Sequence, residues 1–258
     1  MQIPKKPIFV ACPVCGRRVE GKEVGQHISH DHADVAWRQY AQTYLAKMWF
    51  GQNQQDKRLV DSFKNPVTCD MLHDLFLKYG VNRTVPGNGA ARLKPFAAIL
   101  NSYRNIAMTV DNVPGIIEQE VGNMRAVYGK GPLSAITKSL WMMKQHPIVI
   151  YDYNTWRGLS GRRLAPGYKR YGTYFESWFK FFADPETQKG LDDALSWLPE
   201  SPAARTIVEE AQSGAANTAQ AIRDEIRTLS ASQLMRNRVT DMRLFYEGGG
   251  YLEDSISD

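Results

Sequence analysis

Cysteine and histidine are scarce in this chain, with three and five among 258 residues. Three cysteines cannot make a disulfide framework, so no oxidised scaffold stands in for a core. Long apolar runs are missing as well. The best, Ile148 to Tyr151, is short and follows Pro147, which excludes a membrane-spanning helix. The start, Met1-Gln2-Ile3-Pro4-Lys5-Lys6, lacks the apolar core of a signal peptide, so the expectation is a cytoplasmic protein. Two enzyme signatures are absent: no Gly-x4-Gly-Lys-Ser/Thr loop cradles phosphates, and no His-Glu-x2-His helix builds a protease site. A paired-carboxylate nuclease site is not evident, because Asp192-Asp193 and Glu209-Glu210 read as solvated helix faces. Alternating strand patterns are nearly absent, apart from residues 8–11 and 17–20.

What cysteine and histidine there is sits mostly in one place. Cys12-x2-Cys15 is followed after eleven residues by His27, then by His30 and His32. A tight turn supplies two thiolates and a following helix supplies imidazoles, the ligand pattern of a Cys2His2 zinc finger. His27 and His32 lie within the gap such helices use, and Cys12, Cys15, His27 and His32 are the expected ligands of a structural Zn2+. His30 is the substitute or a hydrogen-bonding neighbour. With Cys12 and Cys15 given to metal, Cys69 has no disulfide partner; it is expected to be a buried, inert thiol, in keeping with a reducing cytosol.

A hydrophobic content of 43% and a charged content of 23% are ordinary for a globular protein. Helical periodicity is expected over 33–50, 68–78, 93–108, 113–128, 132–144, 173–183, 185–198, 202–213, 216–229 and 232–246, with Thr68 as an N-cap and Gly80 as a stop. The expected fold class is mainly α: a helical body over 35–245, a small N-terminal ββα zinc finger over 1–34, and a flexible C-terminal tail over 246–258 that contains Gly248-Gly249-Gly250.

The net charge of +5 is modest but unevenly placed. Lys5, Lys6, Arg17, Arg18 and Lys22 crowd the finger, and Arg157, Arg162, Arg163, Lys169 and Arg170 fall between Trp156 and Tyr171 without one acidic residue. Read as a basic loop, the second group would track a phosphate backbone. Aromatics interleave with it: Tyr151, Tyr153, Trp156, Tyr168 and Tyr171, of which Tyr151, Tyr153 and Trp156 are the candidate base pocket. Trp141 belongs to an apolar stripe and to the core.

The stretch from Gly129 to Asp152 carries the candidate chemistry. Gly129-Lys130-Gly131 separates two helices, and glycines at a helix N-terminus let backbone N–H groups approach phosphate. Asp152 arrives after the run His146-Pro147-Ile148-Val149-Ile150-Tyr151, where a carboxylate can act electrostatically, as a base, or as a helix N-cap.

This order of helix, glycine hairpin, helix, apolar run and aspartate resembles the helix-hairpin-helix DNA glycosylases. Lys138-Ser139-Leu140-Trp141 followed by Ile150-Tyr151-Asp152 is similar to a pattern in other helical proteins of this kind. The resemblance implies a glycosylase-like body, Gly129, Lys130 and Gly131 on the DNA backbone, and Asp152 stabilising an oxocarbenium-like sugar while orienting water. Bifunctional members carry a lysine just after the hairpin. Here that position is Leu133 or Ser134, with Lys130 too early and Lys138 inside the helix. The resemblance therefore implies a monofunctional enzyme that flips a damaged or modified base out of duplex DNA and leaves an abasic site. A phage-defence enzyme acting on modified bases is one version. The competing reading is a non-catalytic zinc-finger nucleic-acid-binding or regulatory protein.

Overall fold

A computed structural model describes residues 9–51, 54–81, 85, 89–164, 169–212 and 216–250. Among them the chain is mainly helical, with one two-stranded antiparallel sheet near its start. Strands β1 (Phe9–Ala11) and β2 (Arg18–Glu20) pair Phe9 with Glu20, Val10 with Val19 and Ala11 with Arg18. Helix α1 (Val24–Asp31) completes a ββα unit. There follow α2 (Ala36–Thr43), which continues as a π-helical stretch over Tyr44–Trp49, then α3 (Gln55–Ser62), α4 (Cys69–Lys78), α5 (Lys94–Ser102), α6 (Val113–Tyr128) and α7 (Leu133–Lys144). After these come α8 (Tyr153–Gly161), α9 (Tyr171–Phe182), α10 (Pro185–Trp197), α11 (Pro202–Gln212), α12 (Ala216–Ser230) and α13 (Gln233–Glu247). No helix among the described residues is long and apolar enough to cross a membrane.

Local chemistry explains most boundaries. Thr68, Asp152, Asp184 and Ser232 each turn a side-chain oxygen onto an N–H of the first turn of α4, α8, α10 and α13. One expectation is corrected, and one helix was not foreseen. The supposed basic loop from Arg157 is helical up to Gly161, because Asp152 caps α8 and its Thr155, Gly158 and Leu159 are buried. Residues 55–62 also form a helix, α3, on the buried positions Asp56, Leu59 and Val60.

The chain divides into two compact units: Met1–Tyr44 with Asp152–Pro166 and Phe179–Asp258, and Leu45–Tyr151 with Gly167–Trp178. In the first, α13 packs on α8, α1, α2, α10 and α12. Two glycines let α13 approach its neighbours. A Cβ on Gly158 of α8 would stand 2.2 Å from the Leu244 carbonyl oxygen, and one on Gly25 of α1 would stand 2.1 Å from the Tyr246 carbonyl. Helix backbones that close need no side chain between them. The expected tail does not begin at 246: Tyr246 and Glu247 finish α13, and Gly248 lies against the Asn154 carbonyl. Residues 251–258 lie outside the described residues.

In the second unit α7 packs on α3, α4 and α6 around Phe63, Leu72, Phe76, Phe96 and Trp141. The run Ile148–Tyr151 is buried outside any strand, and the hydroxyls of Tyr171, Tyr174 and Thr137 take most of its polar groups. Tyr174 donates to the Ile150 carbonyl at 2.7 Å, and Tyr171 donates to the Val149 carbonyl at 3.0 Å.

Candidate metal centre and the neighbouring basic face

The ββα unit brings two thiols and two imidazoles together. The ligand atoms of Cys12, Cys15, His27 and His32 all lie within 4.8 Å of one another, close enough to hold a metal ion. The turn between the strands sets the thiols. Cys12 N–H donates to the Arg17 carbonyl, and Gly16 N–H donates to the Cys12 carbonyl, both at 2.8 Å. Cys12 is buried and Cys15 is exposed. Helix α1 carries His27, and His32 follows directly at its C-cap. His30 is exposed and stands outside the cluster.

Three observations test whether this donor set fits a metal. Cys15 Sγ lies 3.4 Å from His27 Nε2. Two ligands at tetrahedral angles around one zinc stand ~3.5 Å apart, given Zn–S of ~2.3 Å and Zn–N of ~2.0–2.1 Å. His27 Nδ1 meets Asp31 Oδ2 at 2.6 Å, a contact that would keep the ring proton on Nδ1 and leave the Nε2 lone pair to a metal once one is bound. His32 Nε2 is buried without a hydrogen-bond partner, a cost that a bound cation removes. The residues fit. Electrostatics agree for one thiol: hydrogen bonds from His27 and from the backbone near Arg17 lower Cys15 to about 6, so it is a thiolate at neutral pH. Burial raises Cys12, the direction that coordination would reverse.

The basic residues separate into exposed and internally engaged groups. Gly249 sits between the finger and α8: a Cβ there would lie 3.2 Å from the Lys22 carbonyl oxygen and 3.3 Å from Arg157 Nη1. The Lys22 backbone and Arg157, far apart in sequence, thus both border Gly249; the exposed Lys22 ammonium pairs with Glu20 at 2.9 Å. On the same helix Tyr153 is 53% exposed, and its ring stacks on Trp156 at 5.8 Å and 20°. Trp156 and Arg157 lie three and four positions after Tyr153, one helical turn on along α8. Arg17, Arg18 and Arg163 are exposed as well. Arg162 is not a phosphate-facing cation. Its guanidinium forks onto Glu247 at 2.7 and 2.5 Å and lies 4.6 Å from the centre of the Phe181 ring.

The remaining expected residues have plain positions. Asp152 is half-buried and accepts from Asn154 N–H at 2.9 Å as the N-cap of α8. Gly129 ends α6 in the left-handed region, Lys130 is exposed, and Gly131 lies against Val121. Ser134 Oγ accepts from the buried Lys138 ammonium at 2.9 Å, and Trp141 is fully buried. Tyr151 is a core residue rather than a pocket wall. It is 5% exposed, it rests on Tyr174 at 4.9 Å, and its hydroxyl accepts from Lys169 N–H. Lys169 and Arg170 are exposed, Tyr171 is buried, and Cys69 is only half-buried at the start of α4. Lys5, Lys6 and Tyr168 lie outside the described residues.

Three partners escaped the sequence reading. Asp31 had a signal, since it follows His27 by one helical turn. Ser29 and Glu247 had none: their meeting at 2.9 Å joins residues 218 positions apart. Comparison of the chain with protein-family models, curated proteins and solved structures finds no match.

Proposed function

We propose that the protein is a zinc-stabilised nucleic-acid-binding protein whose contact face combines the finger with helix α8. Zn2+ would be held by Cys12, Cys15, His27 and His32 in a reducing compartment, and it would fix the turn and the short helix that follows. Zinc is favoured by two thiolates with two imidazoles in a closed site, the donor set of structural zinc. The observation that carries the binding role is the exposed Arg157 one helical turn after the exposed Tyr153, whose ring stacks on the half-buried Trp156, with the Lys22 backbone close by at Gly249. Cations neutralise phosphates, and exposed aromatic rings offer a surface on which unpaired bases stack.

A second reading adds base excision and follows the glycosylase resemblance. It is favoured by the position of Asp152 at the N-terminus of the same helix that presents Tyr153 and Trp156. There the carboxylate would stabilise positive charge on a sugar whose base has left the stack, while the α8 aromatics hold the opened strand. Without a lysine at Leu133 or Ser134 the product would be an abasic site.

Zinc-loaded protein should be titrated into labelled single-stranded and duplex DNA at several salt concentrations, and released bases sought by mass spectrometry in duplexes that carry modified bases. Salt-sensitive binding that weakens in Arg157→Ala supports the binding role. Free base with alkali-dependent strand breaks establishes excision as well. No salt-sensitive binding to either DNA form, in zinc-loaded protein, rejects both readings.

A further inference from the structure

The carboxylate of Glu247 is a hub within the first unit. Its Oε1 accepts from Ser29 Oγ at 2.9 Å, from Arg162 Nη2 at 2.5 Å and from Arg243 Nε at 2.8 Å, while Oε2 accepts from Arg162 Nε at 2.7 Å. The side chain is only 10% exposed. Both arginines are held on their other sides by rings, Arg162 over Phe181 and Arg243 over Trp37 at 4.2 Å. The four donors thus come from three elements. Ser29 belongs to α1, Arg162 is the C-cap residue of α8, and Arg243 belongs to α13 with Glu247 itself.

The Ser29 spoke starts inside the candidate metal centre. Ser29 lies on α1 between His27 and His32 without being a ligand. Helix α1 has eight residues, too short to persist on its own in water. Its C-terminal half is fixed by two imidazoles meant for a metal, by packing on α13 and by the Tyr40 hydroxyl 3.3 Å from Ser29 Oγ. Loss of the metal frees the imidazole end and lets the turn that carries Ser29 fray. Glu247 then loses its one neutral donor, and the fork that holds the C-terminus of α8 loses a constraint.

We infer that Glu247 is a positioning residue that makes the order of helix α8, and so of the Tyr153–Trp156–Arg157 face, depend on metal occupancy of the Cys12, Cys15, His27 and His32 site. The inference rests on the reading of that site as a zinc site. It does not require nucleic acid to bind. Its mechanism is local: a chain of hydrogen bonds from Ser29 through Glu247 to Arg162, with a two-state element, α1, at its head.

The test is amide hydrogen exchange on the full chain, loaded with Zn2+ or treated with EDTA, in the wild type and in Ser29→Ala. Elemental analysis first establishes zinc in both proteins. In the wild type, EDTA should speed exchange in α1 and, by about tenfold, in α8, with much smaller changes in α10 and α11. In Ser29→Ala zinc should still bind and still protect α1, while the zinc-dependent change in α8 shrinks severalfold. Glu247→Gln, which keeps the shape and loses the charge, should leave α8 fast-exchanging with or without zinc. Three results overturn the inference: α8 indifferent to EDTA in the wild type, an identical α8 response in Ser29→Ala, or equal loss of protection across α8, α10 and α11. Protein that takes up no zinc shows a different failure, that of the metal reading itself.

Discussion

Asp152 offers two separable roles, and two substitutions divide them. Its Oδ1 accepts from Asn154 N–H at 2.9 Å with extended backbone angles, the arrangement of an N-cap. Asp152→Ala removes that bond at a cost of about 1 kcal/mol, and loses a favourable carboxylate–helix interaction of about 0.3–1 kcal/mol. Asp152→Asn keeps an oxygen acceptor of equal capping quality and loses only the charge, so its cost should stay near ~0.5 kcal/mol. For a chain of this size each kcal/mol moves the melting temperature by about 2–4 °C. Asp152→Ala should therefore melt about 3–8 °C below wild type and Asp152→Asn within about 2 °C of it. If the carboxylate also stabilises a developing sugar cation, Asp152→Asn should cut base release by about 100-fold or more while DNA affinity is kept. Denaturation followed by helical signal gives the first comparison, and mass spectrometry of released base gives the second. Equal destabilisation by Asn and Ala would refute the capping argument, and undiminished base release by the folded Asn variant would refute the catalytic one.

Other perturbations test other parts of the site. Cys15 has its thiol lowered to about 6, so in metal-free protein its alkylation by iodoacetamide should rise with a midpoint near that pH. Because its folded value lies below the ordinary thiol value, the stabilisation it gives is complete above that value and is lost as pH falls through about 6. Cys12 should react only at higher pH, and zinc should protect both; a common midpoint for the two thiols would contradict their different surroundings. Arg157→Ala should lower the slope of log affinity against log salt by about 1 with little change in stability. Arg162→Ala should do the reverse, costing about 2–3 kcal/mol in urea denaturation because it strips the buried Glu247 of its fork. A steeper fall in salt dependence for Arg162→Ala than for Arg157→Ala would reverse that assignment. Gly158→Ala should destabilise by about 1–3 kcal/mol despite the better helix propensity of alanine, since its Cβ would meet the Leu244 carbonyl oxygen at 2.2 Å. A neutral or stabilised Gly158→Ala protein would show that α8 and α13 are not so close.

The metal ligands, the caps and most helices were legible because their signals are local. Cys12, Cys15, His27 and His32 fall within one turn and one short helix, so spacing alone limits where their side chains can go. Thr68 and Asp152 act on amides three and two residues ahead. Helix α8 was misread as a loop because its charged and aromatic residues hid a buried face whose partner, α13, lies some 85 positions onward, as the Arg162–Glu247 separation shows. Tyr151 looked like a pocket residue for the same reason. Adjacent in sequence to Asp152, it is taken into a core by Tyr174, and no local pattern distinguishes the two fates.

By itself, then, the sequence determined a mainly helical chain with a Cys2His2 cluster at its start, because helix periodicity and ligand spacing are properties of neighbours along the chain. Only the tertiary structure decided which cations face outward and which are consumed within. Arg157 and Arg162 are five positions apart on the same charged stretch, yet one is exposed beside Gly249 and the other is closed onto Glu247. The physical reason is that an ion pair is made by groups the fold brings within a few ångströms, and that distance is set by helix packing, not by composition.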